Sequence, residues 1–168
     1  VFVHNTRPAA IERLGLGFEQ VSARNGRIIY AAAVGYGSSG PYAGKPAYDD
    51  LIQGASGMAT AFAVQDAGPP RYVPLTIADR TVGIYLASCI CAALYARTQK
   101  SGPRFIEVPM FETFTHLVMS DHMGGHTFRP PEGAPYYARI VSRDRRPYRT
   151  ADGYLTDVLA DELIRRAR

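Results

Sequence analysis

Residues 47–86, AYDDLIQGASGMATAFAVQDAGPPRYVPLTIADRTVGIYL, contain two acidic residues that each open an apolar run with helical spacing. They are Asp49 and Asp79, and a Gly/Pro-rich loop at residues 65–71 joins the two runs. Asp is a preferred N-cap residue, and free backbone N–H groups at a helix start also favour bound negative charge. The pattern therefore predicts two helix starts close together, and leaves open whether the two acids are caps or form a site.

The surrounding sequence predicts an α/β fold. The nearly continuous apolar run at residues 27–36, RIIYAAAVGY, is typical of a strand buried on both faces. Strands are also predicted at residues 1–5 and 104–108, and helices at 49–64, 79–98 and 111–123. The loop at residues 37–46, GSSGPYAGKP, lies between a strand and a helix. Ligands in α/β proteins bind beyond the carboxyl ends of such strands, so we expect a site there.

Composition limits the classes of partner. The 168-residue chain has a formal charge of +4, and many of its arginines lie after residue 138. A basic surface suits nucleic acid or an anionic small molecule, but no RNA-binding or zinc-finger motif is present. The four histidines have no ligand spacing typical of metal sites. We therefore predict neither a nucleic-acid partner nor a metal.

The apolar run at residues 82–96 predicts a core helix buried on all sides, because it is short for a membrane span. It contains Cys89 and Cys91, which the helical spacing directs to nearly opposite faces. Buried reduced thiols are typical of a cytoplasmic protein. We therefore expect a cytoplasmic chain that does not bind a membrane.

Composition changes at residue 124, where Gly, Pro, Tyr and Arg become frequent. This change predicts a boundary after the α/β segment at residues 1–123, followed by loops with a strand or two that link to another domain.

Five segments resemble, in the same order, the family III CoA-transferases of CaiB/BaiF type. This family includes formyl-CoA transferases and α-methylacyl-CoA racemases. The segments are Asn5–Gly17, Gly35–Tyr42, Pro46–Gly57, Ile77–Asp79 and Arg146–Tyr154. The resemblance implies a Rossmann-like parallel sheet with long buried helices. It also implies that residues 1–123 are part of the large α/β CoA-transferase domain, and that residues 124–168 are a loop-rich linker and the start of the small domain, with a divergent tail. It also implies coenzyme A and acyl-CoA as substrates, a carboxylic acid as acceptor, and no metal.

Site residues follow from the resemblance position by position. Asp79 matches the catalytic aspartate, which attacks the thioester, and Asp49 with the preceding Tyr48 matches positions beside it. The start of a glycine-rich loop matches Gly124 and Gly125. The family's CoA contacts fall on Asn5, Thr6, Ala10, Arg13, Leu14 and Met110.

Two other functions remain open at this point. One is an α-methylacyl-CoA racemase, although the racemases resemble a His-Asp pair where this chain has Tyr48-Asp49. The other is a non-catalytic remnant. Family members are more than twice as long, and their N-terminal βαβ unit and most of their C-terminal part have no counterpart here. We therefore expect a central fragment, inactive and self-associating when alone, of a chain that forms an interlocked homodimer.

Overall fold

The computed structural model describes residues 1–150, 153–154 and 165. Three parallel strands form its main sheet, in the order β1 (Phe2–His4), β2 (Ile29–Val34) and β3 (Arg104–Pro109). In the middle of the sheet, Ala31 pairs with Val3 on one side and with Ile106 on the other. The predicted α/β class is confirmed.

Five helices lie in the connections between these strands, and a sixth follows β3. They are α1 (Pro8–Arg13), α2 (Phe18–Arg24), α3 (Asp49–Ala55), α4 (Met58–Asp66), α5 (Ile77–Gln99) and α6 (Met110–His122). A 3-10 turn follows at Gly124–Thr127, and β4 (Arg149–Thr150) pairs antiparallel with β5 (Gly153–Tyr154).

The central strand β2 is covered on both faces, as its apolar run predicts. Successive side chains of a strand point to opposite faces. Tyr30, Ala32 and Val34 pack with Phe2 and with Phe18 and Val21 of α2. On the other face, a cluster joins the strands to α5 and consists of Ala31, Val82, Leu86 and Val108.

A further core cluster holds the functional end of the sheet together. It joins α3, α5 and α6 through Ile52, Ala78, Phe114 and Val118. Ile52 and Ala78 are each 0% exposed and lie beside the first turns of their helices. This packing brings the starts of α3 and α5 together beyond the carboxyl end of β2.

The single helix predicted over residues 49–64 is wrong, because the structure has two helices there. Gly57 has a φ of 88°, in the left-handed region that ends many helices. α3 therefore ends at Ala55 and α4 begins at Met58. The apolar residues on both sides of Ser56-Gly57 recur at helical spacing, so the sequence does not reveal the break between α3 and α4.

The prediction that α5 is buried on all sides is also wrong. Ile84 and Tyr95 are each 72% exposed, and Tyr85 and Cys91 are exposed as well. The helix packs on the sheet along one face, and within the described residues little covers the opposite face. By length and mean hydropathy (1.5), α5 qualifies as a candidate membrane span with 17% of that window buried, a test that core helices of soluble proteins also pass.

Two glycines provide a test of the packing at the sheet end. A Cβ at Gly35 would overlap the Cβ of Ala47, so we expect Gly35→Ala to lower the free energy of unfolding by ~1–3 kcal/mol through overpacking. A Cβ at Gly54, within α3, would meet no atom within 4 Å. We expect Gly54→Ala to raise the free energy of unfolding by ~0.5–1 kcal/mol. Urea denaturation of both variants measures the difference, and equal effects would contradict the packing described.

Candidate active site

A cleft of about 730 Å³ lies beyond the carboxyl ends of the three parallel strands. Its walls come from the segments after β1 and β2, the loop before α3, and the first turns of α3, α5 and α6. Among the residues lining it are Asn5, Thr6, Arg7, Gly35, Tyr36, Lys45, Tyr48, Asp49, Asp79, Gly83, Glu107 and Met110. The cleft is in the position that the strand-loop-helix order predicts for a ligand site.

Asp49 connects the two helices whose starts form one side of the cleft. It is the first residue of α3, and only 7% of it is exposed. Its Oδ2 accepts a hydrogen bond from the backbone N–H of Asp79 at 2.9 Å. Its Oδ1 accepts a hydrogen bond from Nε2 of Gln53 at 2.6 Å. Both oxygens of this buried carboxylate are therefore bonded to N–H donors.

Neither acid is the N-cap of its own helix. The N-cap residues are Tyr48 for α3 and Thr76 for α5, and neither side chain makes a capping hydrogen bond. Asp79 is the third residue of α5, and its N–H is one of the four that an α-helix leaves without an intrahelical acceptor. Asp49 supplies that acceptor from another helix, 30 residues earlier in the chain.

The side chain of Asp79 is exposed to the cleft. Partial burial raises the pKa of its carboxyl above the usual value, and the Asp49 carboxylate raises that pKa further, against the opposing charge of Arg80. A raised pKa in the folded state means that ionisation of Asp79 opposes folding. The associated stability is present in acid and is lost as the pH rises through the raised pKa. The start of a helix by itself lowers the pKa of a carboxyl, because it favours the ionised form. At Asp79, burial and the Asp49 charge together exceed this effect.

The loop between β2 and α3 is held by two carboxylates, one on β3 and one on α6. Oε1 of Glu112 accepts a hydrogen bond from the N–H of Gly37 at 2.9 Å. Oε1 of Glu107 accepts one from the N–H of Ser38 at 3.0 Å. These bonds fix the loop against β3 and α6, and so fix one rim of the cleft.

The turn after β1 is fixed by a histidine. Nδ1 of His4 accepts a hydrogen bond from the N–H of Thr6 at 3.2 Å, and the imidazole packs edge-on against Tyr30. Burial lowers the pKa of His4 below its usual value. An unprotonated ring is the form that accepts this bond, and it keeps Asn5 and Thr6 at the cleft.

Two cationic residues at the cleft were missed by sequence reasoning. Arg7 lies at the N-cap of α1, and Lys45 lies in the loop with its Nζ 4.2 Å from the centre of the Tyr42 ring. Both carry positive charge into a cleft that also holds Asp79. Arg7 lies within the Asn5–Gly17 segment and Lys45 directly precedes the Pro46–Gly57 segment, and these positions were the available signal.

A third missed residue is Gly83, which lies one helical turn after Asp79 and lines the cleft. A Cβ at this position would meet no atom within 4 Å. Glycine in a helix interior costs about 1 kcal/mol relative to alanine. The glycine leaves open space in the cleft next to Asp79. The sequence signal for this residue was a glycine inside a predicted helix, four residues after Asp79.

The structure brings some predicted site residues together and leaves others elsewhere. Those that line the cleft are Asn5, Thr6, Tyr48, Asp49, Asp79 and Met110. Those that do not line it are Ala10, Arg13, Leu14, Gly124 and Gly125. Gly124 and Gly125 have a local packing role instead. A Cβ on Gly124 would lie 2.5 Å from the carbonyl oxygen of Ala134, and one on Gly125 would overlap Gly133.

Within residues 1–150, 153–154 and 165, no group of three or more His, Cys, Asp or Glu side chains is placed to bind a metal ion. The cleft combines the acids Asp49 and Asp79 with the cationic residues Arg7 and Lys45.

The chain is similar in sequence to proteins named as CoA-transferases. The sequence profile of CoA-transferase family III matches residues 1–166. The chain is 37% identical over 112 residues to the acetyl-CoA:oxalate CoA-transferase of Acetobacter aceti, an alignment that covers 67% of this chain and 29% of that protein. It is 29% identical over 159 residues to the succinate–glutarate CoA-transferase of Agrobacterium fabrum, covering 92% of this chain and 38% of that protein.

A solved structure has the same fold. The crystal structure of a CaiB/BaiF family protein from Brucella suis superimposes with a TM-score of 0.73 at 24% identity. The match covers 90% of this chain and 40% of that one. The chain therefore spans less than half the length of these similar proteins.

The electrostatic coupling of the two acids is directly measurable. We expect Asp49→Asn to lower the pKa of Asp79, because it removes a negative charge that favours the protonated form. Titration of the Asp79 carboxyl carbon by NMR reads this shift. Asp50→Asn is the matched control, since Asp50 is exposed and is not among the causes of the Asp79 shift. An unchanged Asp79 titration in Asp49→Asn would contradict the coupling.

Proposed function

This chain belongs to CoA-transferase family III, and we propose that it transfers coenzyme A from an acyl-CoA thioester to a carboxylic acid, with Asp79 as the nucleophile. The observation that carries the proposal is the position of Asp79. Its carboxylate is exposed in a cleft at the strand ends, while its backbone N–H is held by a second, buried acid. The similar proteins from Acetobacter aceti and Agrobacterium fabrum are named for CoA transfer involving carboxylic acids, which supports the substrate class.

The proposed reaction has four steps. The Asp79 carboxylate attacks the thioester carbonyl and expels CoA thiolate, leaving a mixed anhydride. The thiolate then attacks the Asp79 carbonyl of this anhydride, releases the donor acid and forms an aspartyl-CoA thioester. The acceptor carboxylate attacks that thioester, giving a second anhydride and free thiolate. Attack of the thiolate on the acceptor carbonyl forms the new acyl-CoA and regenerates the Asp79 carboxylate.

Asp49 supports the nucleophile without competing with it. Both of its oxygens accept N–H bonds, and its side chain is buried, so it is unsuited to attack a bulky thioester. Its charge raises the pKa of Asp79. A more basic carboxylate is a better nucleophile while it remains ionised at the working pH.

Anionic parts of the substrates are recognised by the cations at the cleft. Arg7 and Lys45 line it, and a guanidinium pairs well with phosphate or carboxylate oxygens. Asn5, Thr6 and Met110 line the same cleft and are proposed CoA contacts. Ala10, Arg13 and Leu14 remain proposed contacts on the resemblance alone, since the cleft described here excludes them.

The whole protein is proposed to work as a cytoplasmic homodimer on acyl-CoA and carboxylic acid substrates. The exposed apolar face of α5 is compatible with a subunit interface. The division into a domain at residues 1–123 and a second unit at 124–168 also remains a proposal. So does a role for Gly124 and Gly125 in a loop over the thioester.

Replacement of the nucleophile tests the proposed function. We expect Asp79→Asn to abolish CoA transfer, because an amide does not form the anhydride, while the far-ultraviolet circular dichroism stays unchanged. Hydroxylamine added during turnover traps the aspartyl thioester, and we expect mass spectrometry to find the hydroxamate on Asp79. Asp50→Asn, on the exposed face of α3, is the control that retains activity. Normal turnover by Asp79→Asn would exclude the covalent mechanism.

Gly83 tests whether the cleft binds the substrate. We expect Gly83→Leu to weaken CoA binding at least tenfold, because its side chain fills the open space beside Asp79. The same change removes a helix-interior glycine, so the melting temperature is expected to stay the same or rise. Gly83→Ala is the graded variant with a smaller loss of affinity. Calorimetric titration measures the affinity, and unchanged CoA binding by Gly83→Leu would place the ligand elsewhere.

A further inference from the structure

Gln53 is a fully buried amide that lies between the two helices of the proposed site. It is 0% exposed, and it follows Asp49 by one turn of α3. Its Nε2 donates to Oδ1 of Asp49 at 2.6 Å and lies 3.4 Å from the carbonyl oxygen of Leu75. Its Oε1 accepts from the N–H of Val73 at 2.8 Å. A buried amide is costly unless it is hydrogen-bonded, and here both of its ends are.

The orientation of this amide follows from its partners. The N–H of Val73 is able only to donate, so the amide oxygen of Gln53 must face it. The amide nitrogen must then face the Asp49 carboxylate and the Leu75 carbonyl, which are both acceptors. A reversed amide would set donor against donor and acceptor against acceptor. One side chain thus ties α3 to the segment that leads into α5.

That segment determines where α5 begins. The N–H of Leu75 donates to the carbonyl of Val73 at 2.7 Å, and the N–H of Ile77 donates to the carbonyl of Leu75 at 2.8 Å. Thr76 has φ −76° and ψ 70°, the geometry of an inverse γ-turn, and provides no side-chain cap. Two tight turns without a local cap require an external anchor. Gln53 provides it at Val73 and Leu75, and the Gln53-bound Asp49 provides it at Asp79.

We infer that Gln53 is the positioning residue of the nucleophile: it holds the Asp49 carboxylate and the 73–75 backbone together and thereby fixes Asp79 in the cleft. The effect of Gln53 on catalysis rests on the proposed function, whereas its effect on the position of Asp79 rests on these hydrogen bonds alone. Gln53 does not line the cleft, so it acts through Asp49 and the backbone rather than on the substrate.

Two substitutions separate positioning from general stability. Gln53→Met keeps the approximate volume of the side chain and removes every hydrogen bond of its amide. Ile52→Val is the matched control, since Ile52 is also 0% exposed on α3 and belongs to the apolar cluster. We expect Gln53→Met to lower kcat at least tenfold with KM for acyl-CoA changed less than threefold. Ile52→Val is expected to leave both within threefold.

Hydrogen exchange at the Asp79 amide provides a readout that needs no activity. We expect this exchange to accelerate at least tenfold in Gln53→Met relative to Ile52→Val. Equal exchange in the two variants would overturn the inference, whatever the kinetics show. If the unmodified protein performs no CoA transfer, the proposed function fails, and the exchange measurement alone decides the role of Gln53.

Gln53→Glu adds a pH signature. When protonated, the introduced carboxyl has an O–H to donate to Asp49 and a carbonyl oxygen to accept from Val73, so it reproduces these two bonds and loses only the one to Leu75. When ionised, it faces Asp49 with a second negative charge. Charged neighbours of Asp49 and Asp79 are Asp50 on α3 and Arg80 on α5, while α6 contributes the apolar Phe114 and Val118. We expect kcat of Gln53→Glu, relative to the unmodified protein, to fall as pH rises. A pH-independent ratio would contradict the positioning role.

Discussion

The hydrogen bond from the Asp79 N–H to the Asp49 carboxylate is the interaction on which the rest of the site depends. It joins residues 30 positions apart and fixes the start of α5 against the start of α3. A carboxylate that is 7% exposed is costly unless its oxygens are bonded, and both oxygens of Asp49 meet N–H donors. The same bond places the Asp49 charge close to Asp79, whose pKa is raised first by burial and then by this charge. One contact therefore affects both the packing of α3 against α5 and the protonation of Asp79.

The rim of the cleft repeats this arrangement. Glu112 and Glu107 accept hydrogen bonds from the N–H groups of Gly37 and Ser38, so acidic side chains also hold the backbone of this loop. Asp49, Glu107 and Glu112 thus accept hydrogen bonds from backbone N–H groups, whereas Asp79 presents its carboxylate to the cleft. Four acids near one cleft are thereby divided into structural acceptors and one proposed nucleophile. The division depends on which N–H groups the sheet and helices place nearby.

Much of the fold follows from the sequence because long apolar runs have few packing solutions. Within the run at residues 27–36, Ile29–Val34 form the predicted strand covered on both faces, and the two acids do lie at neighbouring helix starts. Local spacing was insufficient in two places. The helical spacing of apolar residues continues across Gly57, so the sequence did not reveal its left-handed backbone. The apolar composition of α5 also did not distinguish a helix buried on all sides from one that packs on the sheet along a single face. Gln53 was also missed, although an amide one turn after Asp49 on the apolar side of a helix was a visible signal.

The central claim is that the Asp79 carboxylate enters the bonds made and broken during transfer, and oxygen labelling tests it most directly. In the proposed reaction the acceptor carboxylate contributes the bridging oxygen of the second anhydride, and attack on the acceptor carbonyl leaves that oxygen on Asp79. With an acceptor acid labelled with ¹⁸O, mass spectrometry of the peptide containing Asp79 is expected to find the label after one turnover. If the acceptor attacked the acyl-CoA directly, the label would appear in the donor acid released in the first turnover and would be absent from Asp79, and that result would contradict the account.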